Sequence, residues 1–179
     1  MYGIEILERE HENILNFTNI LEEKFINILD GKEEIGINFF EKSINFIRVY
    51  ADGHHHKKEE DILFKYMLED LGPLADKLIR SGMLVEHDLA RFTTLELEKA
   101  LKSYEADPST KNKLDIIGHG MAYVYLLRRH AEKENQVLYP FAAKNLSEEK
   151  LNLINEETKA YEENFNKEFL ADFEMVLLG

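Results

Sequence analysis

The 179 residues include no cysteine and no tryptophan, only three prolines and only nine glycines. Without cysteine the chain cannot build a disulfide framework, a thiolate nucleophile, a Cys-ligated zinc or an iron–sulfur cluster, so any metal it holds must use nitrogen and oxygen ligands. Long apolar runs are also missing: no window approaches the roughly 18 consecutive apolar residues of a membrane span. Basic residues are in deficit, 22 Lys+Arg against 35 Asp+Glu for a net charge of −13. That excess repels phosphate backbones and anionic lipid surfaces, so neither nucleic acid nor membrane is an expected partner. The opening run MYGIEILEREHENIL carries acid where a secretory leader needs a basic flank, and the expected location is the cytoplasm.

What is present is 44% hydrophobic and 32% charged. A chain of this length buries about two-thirds of its unfolded surface, enough for one globular domain with its own core. The few breakers are spaced for long helices. Between them, apolar positions recur at three- and four-residue intervals: Ile4, Leu7, His11, Ile14, Leu15, Thr18 and Leu21, then Phe39, Ile44, Ile47 and Tyr50.

The pattern predicts helices over about 4–29, ended by Asp30-Gly31, and 33–71, ended by Gly72-Pro73. A third is predicted over 73–104, and a fourth from an Asp107 cap and Pro108 to about Phe141. A last helix runs from a Ser147 cap to Leu170. Gly53 and Gly82 are weak points within the second and third. Short connections favour antiparallel neighbours, so the expected fold is all-α: an up-down-up-down four-helix bundle over 1–145 with a further C-terminal helix, 146–179, packed on it.

One internal echo stands out. HHKKEEDILF in the second helix and HAEKENQVLY in the fourth share a frame of His, three residues, Glu, two residues, two apolar positions and an aromatic. His55 thus precedes Glu59 by four residues and His130 precedes Glu134 by four, which puts each imidazole and carboxylate on one helix face. One such pair alone is ordinarily a solvated contact worth a few tenths of a kcal/mol. Two copies in matching frames, with His11 and His87 as interior candidates on the other two helices, point to a metal site inside the bundle. The candidate ligands are His11, His55, Glu59, His87, His130 and Glu134. A carboxylate from each pair can bridge two ions and leave positions open for an exogenous ligand. Imidazole and carboxylate suit iron, manganese or zinc; a carboxylate-bridged pair of irons best suits redox chemistry.

His54 and His56 flank His55 at about 100° on an α-helix, so at most one is expected to share its pocket. His56 with Glu60 is the alternative register, and His54 is expected in solvent. His119 lies about 16 Å along the helix from His130 and is not expected at the site; Tyr123 is expected in the core. Leu126, Leu127, Leu89, Ile14, Leu15 and Leu63 are apolar candidates around the ligands, and Glu10, Glu86 and Asp88 are candidates to orient imidazoles through their distal N–H. A ferritin-like reading finds one Glu-x-x-His, Glu8 to His11, but no second copy. The His-Glu-x-x-His protease motif is absent.

Glu10-His11-Glu12, the stretch from Tyr50 through His54-His55-His56 to Phe64, Glu86-His87-Asp88, and Arg129-His130 through Glu134 to Pro140 together resemble the hemerythrin-like (HHE cation-binding) family, in order over about residues 5–145. The resemblance implies a four-helix bundle with a non-haem di-iron centre, ligated by His11, His55, Glu59, His87, His130 and Glu134, with Glu59 and Glu134 bridging. Its implied partners are a small diatomic ligand or a peroxide. The sequence departs from the oxygen carriers, whose third helix offers two His four residues apart: Arg91 stands at that spacing from His87. It also places Glu134 where the carriers have an Asp one residue further on. Related iron–sulfur cluster repair proteins share the His and His-x-x-x-Glu pattern, often with a cysteine-bearing module that this chain lacks. The expectations are thus a di-iron protein that senses, scavenges or detoxifies a small ligand, an iron-handling or repair protein, or a structural bundle holding zinc or no metal.

Overall fold

The structure, a computed structural model, describes residues 2–166 and 168–170. It is all-helical: long antiparallel helices pack as a bundle, and a shorter helix lies against its outside. Helix α1 (Tyr2–Leu29) buries the face Ile4, Leu7, His11, Ile14, Thr18, Leu21, Phe25 and Ile28, the three-four alternation of a core stripe. Gly31 ends it at φ 68°, with its N–H on Ile28 O at 3.2 Å and that of Lys32 on Asn27 O at 2.9 Å. Those are the two bonds of a left-handed C-terminal cap.

Helix α2 covers 37–70, starting four residues later than the sequence predicts. Glu33 is used instead to tie the loop to α1, pairing with Lys24 and accepting from Asn27 Nδ2 at 3.0 Å. Within α2 the segments Ile47–His56 and Glu59–Leu63 are π-helical. Gly53 sits in the first of these, where a Cβ would lie 2.8 Å from the Arg48 carbonyl oxygen five residues back. A side chain there would push against the widened turn.

Helix α3 covers 72–106 and passes Gly82 through another π segment, Ile79–Met83. Both glycines expected to weaken their helices therefore lie within continuous ones. Helix α4 covers 110–145, with Glu134–Leu138 π-helical. Its cap is Ser109, whose Oγ accepts from Asn112 N at 3.3 Å, and not Asp107. Asp107 still bonds Ser103 O through its own N–H, and the following Pro108 excludes it from helical geometry. Pro140 is accommodated in the first turn after the π segment, so α4 runs four residues past Phe141. Helix α5 (Glu148–Glu163) is capped by Ser147 Oγ as expected, but it ends in a turn at Asn164 rather than continuing to Leu170. Residue 167 and residues 171–179 of the expected C-terminal segment lie outside the described residues.

The apolar interior falls into two clusters. One gathers Phe17, Phe25, Phe40, Phe46, Leu97 and Tyr123; the other gathers Leu7, Leu63, Phe64, Met67, Leu138 and Tyr139. Between them in sequence, on all four helices, lies a set of buried histidines and glutamates. Gly120 decides the packing of the first cluster, since a Cβ there would come within 2.1 Å of Phe25, itself buried and stacked on Phe40 at 5.5 Å. Gly120→Ala is therefore expected to destabilise the fold by about 1–3 kcal/mol through overpacking, read as a lower denaturant midpoint at unchanged slope.

Candidate metal centre

Seven side chains converge in the middle of the bundle. His11, His55, Glu59 and Glu134 can each place one ligand atom within 4.8 Å of the others, and so can His56, Glu59, His87 and His130. Glu59 belongs to both groups, so the two subsites share a carboxylate. All seven are buried, none more than 2% exposed. The six residues the sequence selects are all brought together, and His56 joins them.

His56 joins His55 at the centre rather than replacing it, as the alternative register would have it. His55 lies beside His11, ring centroids 4.5 Å apart, while His56 stacks on His87 at 3.9 Å. The π turn rotates less per residue than an α turn, and the two neighbours address different halves of the centre. His56 thereby supplies a third imidazole beside His87 and His130, on the side where Arg91 stands in place of a second helix-three histidine. His54 is also buried, at 3% exposure, rather than in solvent. Glu60, the alternative partner of His56, instead accepts from His87 Nδ1 at 2.7 Å.

Every imidazole at the centre has its outer nitrogen on an acceptor. His11 Nδ1 meets Asn135 Oδ1 at 2.7 Å, His55 Nδ1 meets Glu10 at 3.0 Å, and His130 Nδ1 meets Glu86 at 3.0 Å. His56 Nδ1 lies 3.4 Å from Asp52. Such partners fix the tautomer with hydrogen on Nδ1 and turn the Nε2 lone pair inward. Glu10 and Glu86 thus act as expected of them. Asp88 does not, since it is exposed and pairs with Arg91. Arg91 in turn braces two of the acceptors, with Nε 2.8 Å from Asp52 and Nη2 2.7 Å from Glu60.

The repeated sequence frame becomes an approximate internal symmetry. Glu60 and Asn135, each just after the framed Glu, orient His87 and His11; Glu10 and Glu86, each just before a lone His, orient His55 and His130. The terminal aromatics correspond too. Phe64 stacks on His87 at 5.7 Å, and Tyr139 stacks on His11 at 5.5 Å while its hydroxyl donates to Glu59 at 2.6 Å. Asn135 and Tyr139 are not singled out by the sequence reading, and Glu60 only as the alternative partner of His56, although the frame shared by the two decapeptides holds the signal. Leu89, expected near the ligands, is 48% exposed and faces away.

The electrostatics are set by carboxylates and imidazoles held close together out of water. Burial favours neutral carboxyls, yet the facing imidazoles hold both Glu59 and Glu134 below the usual carboxylate range. Burial by itself would lower His130, but the charge of Glu134 and hydrogen bonds to Glu134 and Glu86 push it up to about 10. His11 and His87 are raised against burial in the same way, by Glu134 and Glu59 respectively. Burial, then the charges of His87 and His130, drives His56 well down.

A metal fits this donor set. Glu59 Oε2, both Glu134 oxygens and His56 Nε2 are buried at the centre, where the Nε2 atoms of the surrounding imidazoles face the Oε2 atoms of the two carboxylates. His11 and His55 point Nε2 atoms at one another across 2.9 Å, and His87 and His130 do so across 3.2 Å. Two neutral imidazoles facing at that range bring lone pair against lone pair, and a proton or a metal cation between them removes the repulsion.

These features define a helical-bundle protein with a buried, oxygen- and nitrogen-lined cation site shared among its four long helices. The hemerythrin HHE cation-binding domain model matches residues 2–142, and the chain belongs to that family. Neither the curated proteins nor the solved structures give a match. No helix among the described residues is long and apolar enough to cross a membrane.

Proposed function

We propose that the chain is a non-haem di-iron protein that binds or reacts with a small ligand, dioxygen, nitric oxide or a peroxide, in sensing, scavenging or detoxification. The observation that carries this reading is the shared buried carboxylate, Glu59, which joins two groups of imidazole and carboxylate donors. One ion would take His11, His55, Glu59 and Glu134, and the other His56, His87, His130 and Glu59. A pair of irons held this way supplies redox capacity and an open position for the exogenous ligand. The residues around it keep water out, fix five imidazoles and hold Glu59 in place through the Tyr139 hydroxyl, whose own proton is retained because burial and the charges of Glu59 and Glu134 raise its pKa well above the ordinary phenol value.

Complete burial of the donors favours resident ions over cargo, which separates this reading from iron delivery. The test is metal analysis of protein expressed with ample iron, followed by near-ultraviolet spectra. The expected result is iron with charge-transfer bands that change on adding oxygen, nitric oxide or peroxide. Redox-inert ions alone, or no metal, would overturn it.

Metal uptake must expel protons. The carboxylates favour the charged form of His11, His87 and His130, whereas a ligating imidazole must be neutral. Affinity is therefore expected to rise with pH, by about tenfold per pH unit for each proton displaced, until His130 deprotonates near its raised pKa of about 10. Competition with a chelator across pH measures the slope; a flat profile would contradict it.

A further inference from the structure

The two halves of the centre are alike in sequence but not in their surroundings. In each frame the residue before the framed Glu is a lysine, and each lysine grips the carboxylate that orients an imidazole: Lys58 pairs with Glu10, and Lys133 with Glu86. Lys133 is 47% exposed, an ordinary surface partner. Lys58 is 1% exposed, because α5 covers it and adds a second carboxylate, Glu162. His54 Nε2 completes the cluster at 3.0 Å from Glu10 and 3.1 Å from Glu162. Phe165, just past α5, lies against the His54 ring at 3.9 Å, and the Tyr161 hydroxyl donates to the Gly53 carbonyl at 3.2 Å. Glu162 lies beyond the residues matched by the family model.

We propose that Glu162 and Lys58 are positioning residues of the metal centre: through them α5 holds the Glu10 carboxylate against His55 Nδ1 and so fixes the imidazole that faces His11. The inference rests on the proposed ligand role of His55. Its physical basis is the division of labour within Glu10, where Oε2 takes the His55 N–H and Oε1 is bound by Lys58 and His54. Removing the buried ammonium leaves the Glu10 and Glu162 carboxylates close together with no lysine between them, and Glu10 swings away and releases His55. Neutralising Glu162 instead removes the second anchor, from α5, that fixes where the Lys58 ammonium sits, so the position of the Lys58–Glu10 pair relative to His55 is no longer set by the last helix. The exposed Lys133 pair, screened by water, contributes far less to His130.

The experiment uses the full chain and four variants: Lys58→Met, Glu162→Gln, Lys133→Met as the exposed counterpart, and Tyr161→Phe, which loosens α5 without touching Glu10. Each is loaded with cobalt(II), and release to a chelator is followed together with the ligand-field spectrum. Lys58→Met and Glu162→Gln are expected to lose one ion at least about tenfold faster than wild type, with an altered spectrum. Lys133→Met should change release by less than about fivefold, and Tyr161→Phe should keep the wild-type spectrum.

Long-range proton–nitrogen spectra of the metal-free protein give a second readout. His55 is expected as the Nδ1–H tautomer in wild type, Lys133→Met and Tyr161→Phe, and as a mixture in the other two. Glu162→Gln keeps the side-chain shape and carries the test if Lys58→Met does not fold. Wild-type release and a single tautomer in Glu162→Gln would overturn the proposal. Failure of the wild type to bind metal would instead overturn the ligand reading, and the tautomer measurement would still decide the role of α5.

Discussion

Glu59→Ala or Glu134→Ala is expected to abolish paired metal binding, with affinity falling by well over the 10–100-fold typical of losing an outer hydrogen-bond partner. Each carboxylate serves one donor on its own helix and one on another. Glu134 Oε2 lies 3.2 Å from His11 Nε2 and 3.1 Å from His130 Nε2; Glu59 Oε2 lies 3.6 Å from His55 Nε2 and 3.4 Å from His87 Nε2. The metal-free variants should also be less stable, by roughly 3–5 kcal/mol, since deleting one partner of a buried ionic group strands the other. Metal content per chain, measured on folded protein verified by circular dichroism, checks the first expectation and a denaturant midpoint the second. His119→Ala serves as the control, because His119 belongs to neither group of donors and should leave metal content intact. If the alanine variants kept wild-type metal content, the shared-carboxylate arrangement would be wrong.

The next largest effect is expected from the metal itself. A site that packs two carboxylates and five imidazoles together out of water is costly when nothing fills it. An ion that binds only the folded chain stabilises it by about 4 kcal/mol at a free concentration a thousand times its Kd. For a domain of this size each kcal/mol moves Tm by about 2–4 °C, so loading should raise the melting temperature by about 10 °C. Stripping with a chelator should reverse the gain, and the Glu59→Ala variant should show little of it. Loaded and stripped protein melting together would mean that the buried cluster is satisfied without an ion.

The stabilisation and the ligand chemistry share one cause. The interior gathers carboxylates and imidazoles whose ligand atoms converge out of water, and the surrounding apolar clusters hold the helices firmly enough to keep them there. Tyr139 belongs to both: its ring packs in the second cluster while its hydroxyl meets Glu59. The π segments beginning at Glu59 and Glu134 are part of the same arrangement, since a local widening at each framed glutamate changes how the following residues present themselves.

Much of this was legible in the sequence. Periodicity and breakers gave the helices and their order, and the spacing of His55 with Glu59 and His130 with Glu134 gave the faces that turn inward. Lone His11 and His87 were found because each sits on the buried stripe of its helix. What escaped was whatever depends on departures from α geometry or on contacts between distant helices. His56 was set aside by an argument valid for an α-helix, and the chain is π-helical there. His54 was placed in solvent because nothing local reveals that α5 covers it.

By itself, then, the sequence determined the family, the helical bundle, and a His-Glu frame repeated on two helices with a lone histidine on each of the other two. These are local quantities: residue type, spacing and periodicity fix which side chains share a face. Only the tertiary structure decided that Glu59 is common to two subsites, that His56 faces the second, and that Lys58 is sealed in by the last helix. Such facts depend on how far apart helices settle and on the burial of charge, which are set by the packing of the whole bundle and by no single stretch of it.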